Sequence, residues 1–423
     1  MQPKVYSVTE HDIDHKLVDT DALYVLERLR EAGFTAYLVG GSVRDLLLKK
    51  TPKDFDISTS AQPEEIKHLF QRQCILIGRR FRLAHIRFGH KIIEVSTFRS
   101  GDNESDLILQ DNKWGSPEED VLRRDFTING LFYDPSTKSV IDYVGGWDDI
   151  HTNTLRTIGD PEIRFKQDPV RMIRLLKFRA RFGFNITQEA KKALVKCKDE
   201  ILKSSPARVT EEILRMLESG ASASFFRLLA DSGILALLYP ALSQFMKGEN
   251  AKSLYLYLAC ADKINHNLGK KPLDRPILLA CLLFPMFVDA MHKNFTSQNQ
   301  IPHMGEIIMQ TGSTVKEFET GAFARFPRRL VAITTSVIST QYRLTPLTGR
   351  KNHHPKVFRY KDFADALVFL KIRAIIQKEL IETYTTWKSL YRQHLRHGDR
   401  RGHRHHFPPP HVRISHVANI AIT

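Results

Sequence analysis

The chain has 423 residues, enough for two or three domains. With 42% hydrophobic and 26% charged residues it can bury a sizeable core, which excludes wholesale disorder. Formal net charge is +16, but the excess is segregated: positions 321–423 carry 19 Lys or Arg against 5 Asp or Glu, leaving 44 against 42 before them. A near-neutral globular part with an attached polyanion-binding part is expected, with a merely solubilising basic end as the alternative.

In chain order, Ala36–Val39 reads as a short strand stopped by Gly40-Gly41-Ser42, and 43–49 as a helix. A second strand is expected around KDFDIS, 53–58, followed by a helix over 63–70. Residues 74–77, 84–88 and 91–97 are strand-like, and Gly89-His90 predicts a hairpin between the last two. The polar, turn-rich stretch 101–118 reads as loop. Beyond about 155, helical periodicity takes over at 171–182, 188–197, 210–217 and 223–229. The longest apolar run, 276–288, has 13 residues and contains Pro285, too short to span a bilayer. The first residues carry no apolar leader, and Cys74, Cys197, Cys260 and Cys281 are too scattered for metal clips or a disulfide framework. The expectation is a soluble, reduced, cytoplasmic protein. The end from about 396 is low in complexity and reads as disordered.

The strongest chemical signal is LVGGSVRDLLL at 38–48 followed by PKDFDIS at 52–58. Gly40 and Gly41 let backbone approach a triphosphate, and Ser42 offers a hydroxyl and an N–H just before a helix N-terminus, which favours anions. Asp54 and Asp56, two apart on a strand, project to one face with Phe55 turned to the core. Two carboxylates on one face repel each other unless a cation lies between them, and Mg²⁺, shared with substrate phosphates, fits. A lone DxD is usually a solvated pair and a lone GG a turn; together, with strand, loop and helix between, they point to a nucleotidyltransferase using two metals. Neither a Walker loop nor a dinucleotide fingerprint occurs at the loop.

These segments, with RRDFTIN at 123–129 and DPVRM at 168–172, resemble the class II template-independent RNA nucleotidyltransferases, whose best-known activities are bacterial poly(A) polymerase and the CCA-adding tRNA enzyme. The resemblance runs in order from about Tyr37 to Arg179 and more loosely to about Leu395. ILIGRRFRLAHI at 75–86 looks like the poly(A) polymerase signature, as does the basic C-terminal region, whereas EVSTFR at 94–99 does not discriminate. The resemblance implies an α+β fold: a nucleotidyltransferase head with a small mixed sheet (1–150), a helical neck that recognises the base (151–215), a helical body (216–310), a helical basic RNA-binding region (311–395) and a His/Pro-rich tail (396–423). It implies addition of AMP from ATP to RNA 3′ ends, with CCA addition as the near alternative and a silent RNA-binding protein as the distant one. Mg²⁺ is the implied cofactor, ATP and RNA 3′ ends the partners, with no membrane and no DNA; a monomer is expected, though the sequence leaves oligomeric state open.

Residue by residue, Asp54 and Asp56 match the family's metal carboxylates and Asp125 a third position held to be catalytic. Glu94 is a rival third carboxylate, unless it simply pairs with Arg99 or Lys91. Gly40, Gly41, Ser42, Arg44, Arg124 and Asn129 are expected at ATP, with Asp168 and Arg171 pairing with the base edge as a protein template. A DxxR pair in isolation would be a surface ion pair, and Gln167 stands where the family usually has Glu. Arg79, Arg80 and Arg82 around Phe81 offer a basic edge. Arg325, Arg328, Arg329, Arg350 and Lys351 are the expected RNA contacts, their phosphate pairing giving sequence-independent affinity. Among them Phe326, Tyr342, Phe358, Tyr360 and Phe363 could stack bases, though helical spacing more often means core. The tail's seven histidines, His394 to His416, are assigned no site.

Overall fold

The computed structural model describes residues 2–78, 83–100, 113–269, 271–347 and 355–399. Arg79, Arg80, Phe81, Arg82, Arg350, Lys351 and the tail beyond 399 lie outside the described residues. The chain divides into two units, Met1–Cys197 and Lys198–Thr423.

The first unit is built on strands β1 (Lys4–Tyr6), β2 (Ala36–Val39), β3 (Asp56–Thr59), β4 (Cys74–Ile77), β5 (Leu83–Phe88), β6 (Lys91–Thr97), β7 (Arg99–Ser100), β8 (Lys113–Trp114), β9 (Leu131–Asp134) and β10 (Ser139–Asp142). Eight of them form one mixed sheet in the order β1-β10-β9-β2-β3-β6-β5-β4, and β7 and β8 pair separately. The β5–β6 hairpin expected at Gly89-His90 is present, with Phe88 opposite Lys91. β6 lies parallel to β3, which sets Asp56 beside Glu94.

Alternation along these strands decides what is core. Leu38, Ile57, Val95 and Ala84 fall in one register row across β2, β3, β6 and β5, and all are fully buried. That face packs against the helices Thr20–Glu31 and Pro63–Phe70. The first of these had no counterpart in the sequence reading; Asp19 caps it by accepting from the Asp21 and Ala22 N–H groups. Pro63 stands in the first turn of the second, with a reciprocal Gln62–Glu65 capping box. The opposite face carries the next row: Phe132, Val39, Asp56, Glu94, His85 and Ile75. Its apolar end is sealed by Phe98, Val121 and Ile158; its polar end is left to function.

Two local expectations need correction. β3 starts at Asp56, so Asp54 precedes the strand instead of lying on it, while Phe55 is buried as expected. Of the stretch expected as loop, 101–112 lie outside the described residues, while Lys113–Trp114 form β8 and Pro117 opens a helix to Leu122, whose N-terminus Ser116 and Glu119 close with a capping box.

The unit ends in helices Pro161–Gln167, Val170–Phe182 and Gln188–Cys197. The second stops at Gly183, whose φ of +75° is left-handed, a position glycine takes at little cost.

The second unit is helical throughout its described residues. Its centre is the helix Arg275–Asn294, which touches Ala251–Leu268, Met304–Glu319, Arg328–Leu344 and Phe363–Ile376. This helix is longer than the apolar run suggested, and by length and composition alone it would reach across a bilayer. Its residues from Ile277 to Phe287 are nearly all buried against those neighbours, however, which is the position of a core helix. A second cluster gathers Leu344, Val357, Phe363, Leu370 and Trp387, whose indole N–H donates to the Leu344 carbonyl at 3.0 Å.

Candidate active site

The turn after β2 requires glycine. Gly40 has φ +73° and ψ −124°, and a Cβ there would stand 3.6 Å from Nη1 of Arg124. Gly41 opens the short helix Gly41–Leu47. Ser42 is buried and its hydroxyl donates to the Val39 carbonyl at 3.2 Å, so that hydroxyl holds the turn together.

Beside the turn lies the carboxylate row. Asp54, Asp56 and Glu94 are all solvent-accessible, yet protein hems Asp56 in on most sides. Burial, then Glu94, then Asp54 push the Asp56 carboxyl up to about 6, and Arg124 only partly opposes them. Like charges set so close signal a place for a cation. Among the described residues no three His, Cys, Asp or Glu side chains close round one point, so the row is open. An open row fits Mg²⁺, which retains waters and takes phosphate oxygens from its substrate. Lys91 is engaged with Asp19 and Asp21, while Glu94 has His85 at 3.5 Å; the Lys91 pairing considered for Glu94 is therefore not made.

Arg124 connects turn and row. Its Nη2 donates to Asp120 at 2.7 Å and to the Ser58 hydroxyl at 3.1 Å, and Ser58 lies on β3 two residues past Asp56. Asp120, fully buried, also takes Arg123. Burial alone would raise the Asp120 carboxyl, but Arg124 and Arg123 outweigh it and hold it below its ordinary value. Asp120 was missed in the sequence, although its spacing of three and four residues before two arginines on a capped helix was the signal.

Asp125, expected with the catalytic acids, lies on the loop that follows the helix Pro117–Leu122. It is buried, lies 2.6 Å from Nη2 of Arg174, and accepts from Asn129 at 3.0 Å and from the Phe126 N–H at 2.8 Å. Burial opposes its ionisation, but Arg174, Asn129, the Phe126 N–H and Arg171 keep the carboxyl below the usual range. Asn129 in turn accepts from Arg44 at 2.6 Å, and Arg44 gives two further donors to Asp45 while lying over the rings of Phe178 and Phe182. Arg44, Asn129 and Asp125 thus form a closed network from the glycine turn's helix to Val170–Phe182. In this structure Arg44 and Asn129 spend their donors and acceptors on neighbouring side chains.

The helix pair at the end of the unit grips the same loop. Arg171 donates to the Arg164 and Arg123 carbonyls, and Arg164 donates to the Leu122 and Arg124 carbonyls and to the Gln167 amide oxygen. Asp168 caps the end of Pro161–Gln167, its N–H bonded to the Arg164 carbonyl.

In the second unit Arg325, Arg328 and Arg329 are exposed. The aromatics among the basic residues are mostly core: Phe326 stacks with Tyr239 and Phe318, and Phe358 packs with Phe363, Trp387 and Tyr391. Tyr360 is exposed, with Arg343 over its ring at 5.3 Å.

Residues 36–156 match the family described as "Poly A polymerase head domain", and residues 183–246 the one described as "Probable RNA and SrmB- binding site of polymerase A". The chain is 34% identical over 400 residues to poly(A) polymerase I of Haemophilus influenzae, covering 90% of this chain and 87% of that one. It is 37% identical over 213 residues to a CCA-adding enzyme of Lactobacillus helveticus, covering 50% of this chain and 53% of that one. Among solved structures it resembles the CCA-adding enzyme of Bacillus stearothermophilus in complex with CTP, with TM-score 0.61, 26% identity, and coverage of 84% of this chain and 76% of that one.

Proposed function

Because this chain belongs to the family of poly(A) polymerases and CCA-adding nucleotidyltransferases, we propose that it is a template-independent polynucleotide adenylyltransferase that adds AMP from ATP to RNA 3′ ends, producing tails that promote RNA turnover. One observation carries the chemistry: Asp56 and Glu94 stand side by side in the sheet, with Asp54 adjacent and the Gly40 turn joined to them through Arg124. The preference for poly(A) is supported by a match to a poly(A) polymerase over nine-tenths of the chain, against half of it for the CCA-adding relative.

In this reading the triphosphate lies against the Gly40–Gly41 turn, where the absent side chains leave backbone accessible. Arg124, held by Asp120, faces the phosphates with a fixed guanidinium and offsets the charge of departing pyrophosphate. Asp54, Asp56 and Glu94 would hold Mg²⁺, which in a two-metal arrangement lowers the pKa of the RNA 3′-hydroxyl and steadies the leaving group. Asp168 and Arg171, beside the Arg123–Arg124 segment, present the base-reading edge from the neck, taken as 151–215, while the head, 1–150, supplies the catalytic row. Body (216–310) and basic region (311–395) follow, with Arg325, Arg328 and Arg329 neutralising RNA phosphates.

The test pairs tRNA lacking CCA and a generic oligoribonucleotide with ATP or CTP. Long A tails on the oligoribonucleotide are expected; three defined additions to tRNA alone would replace this reading with CCA addition. Asp54→Ala should abolish incorporation with fold and RNA affinity intact. Retained incorporation would sink the active-site assignment.

A further inference from the structure

Glu94 is half exposed on a long flexible stem, and a carboxylate that must meet a cation needs a fixed orientation. The register supplies the means. Asp56, Glu94 and His85 occupy consecutive places in one row across β3, β6 and β5. His85 Nε2 lies 3.5 Å from Glu94 Oε1, and the imidazole is only 18% exposed against 49% for the carboxylate. Ala84 and Ile86, on either side of His85, are fully buried in the sheet's other face, so β5 is locked in rotation and the ring must stand on the open face. On β4 the next place in the row is Ile75, which flanks the ring on the side away from Glu94. Lys91, the nearest cation on Glu94's own strand, is held by Asp19 and Asp21. His85 is therefore the group placed to fix Glu94.

We propose that His85 is a positioning residue that orients Glu94 toward the divalent cation shared with Asp54 and Asp56. Contact through Nε2 fixes Oε1 and leaves Oε2 to meet the ion. Partners of this kind, one step behind the ligand, typically change metal affinity 10- to 100-fold when removed. The inference rests on the metal-dependent reading of the site, and its test separates the two.

Mn²⁺ binding to the full-length protein is measured by loss of the free-ion electron paramagnetic resonance signal, alongside the Mg²⁺ concentration giving half-maximal incorporation. His85→Phe keeps the size of the ring but has no donor, and should raise both values about 10-fold or more while kcat at saturating Mg²⁺ stays near normal. His85→Gln, which retains an N–H donor, should recover most of the loss. In a Glu94→Gln background His85→Phe should add nothing further. Unchanged metal dependence in His85→Phe, or an equal effect with Glu94 already replaced, would overturn the role of His85. A parent protein that takes up no Mn²⁺, or an Asp54→Asn variant that binds it as well as the parent, would instead overturn the metal site beneath it.

Discussion

Asp56 and Asp125 sit in the same unit, and the protein treats them in opposite ways. Asp56 is accessible, crowded by Glu94 and Asp54, and its carboxyl is pushed up to about 6. Asp125 is buried, bonded by Asn129 and Phe126, paired with Arg174, and held below the ordinary carboxylate range. One set of charges is dominated by like charge; the other is matched by Arg174 and by donors from Asn129 and Phe126. An acid kept unsatisfied at a surface is arranged for a ligand, whereas an acid satisfied in the interior is arranged for the fold.

Substitution should separate them. Asp56→Asn removes a like-charge contact, so thermal stability should hold or rise slightly while kcat falls about 10³-fold in a steady-state incorporation assay. Asp125→Asn should do the reverse in kind, leaving Arg174 without its anion and costing about 3 kcal/mol in urea unfolding, the low end for a broken buried pair because Arg174 is partly exposed. Its pH dependence has a definite sign. A carboxyl depressed in the folded state stabilises above its unfolded value of about 4, and that contribution disappears as pH falls through the lower folded value. Asp125→Asn should therefore flatten the acid limb of stability against pH. A large activity loss in Asp125→Asn without loss of stability would put Asp125 back among the catalytic groups.

This division was only half legible in the sequence. The glycine turn, the strands 74–77 and 91–97 and the helix 63–70 follow from turn chemistry and local alternation, and the structure has them at Cys74–Ile77, Lys91–Thr97 and Pro63–Phe70. That Glu94 stands beside Asp56 depends on strand order. β6 pairs with β3 across 38 residues of chain, and no local period encodes that register. The motifs mark Arg44, Asn129 and Asp125 as ligands but say nothing of their bonds to one another. Their mutual bonds exist only after the 125–129 segment is brought against the helix Gly41–Leu47, a tertiary event invisible to spacing. His85 escaped for the same reason, since its neighbour in the row lies on another strand.

The distinction between engaged and available groups extends to the cations. Arg44 is tied to protein acceptors, whereas Arg328 and Arg329 are exposed at the start of the helix Arg328–Leu344. Replacing both with Gln should weaken RNA binding several-fold at moderate salt and reduce the slope of log affinity against log salt by about 1 per charge removed. The ATP concentration dependence with saturating RNA should not move. An unchanged salt slope would mean these arginines meet no phosphate.

A raised carboxyl is not enough to mark a site, and Asp365 supplies the control. Burial, then Asp274 and Asp362, push it up to about 6, as high as Asp56, yet it lies in the second unit at the edge of a cleft lined by Glu218 and Lys271 to Pro276. The sign here is opposite to Asp125. Folding favours the protonated form, so stability is greatest below the unfolded value of about 4 and declines as pH rises through about 6. Asp365→Asn should therefore stabilise the protein by about 1 kcal/mol near pH 7.5, after allowance for solvent screening, and by almost nothing near pH 4. Incorporation should be unaffected at either pH. If Asp365→Asn behaved like Asp56→Asn, losing activity at constant stability, crowded acids throughout this chain would have to be read as ligand sites, and the special standing of the row beside Gly40 would be lost.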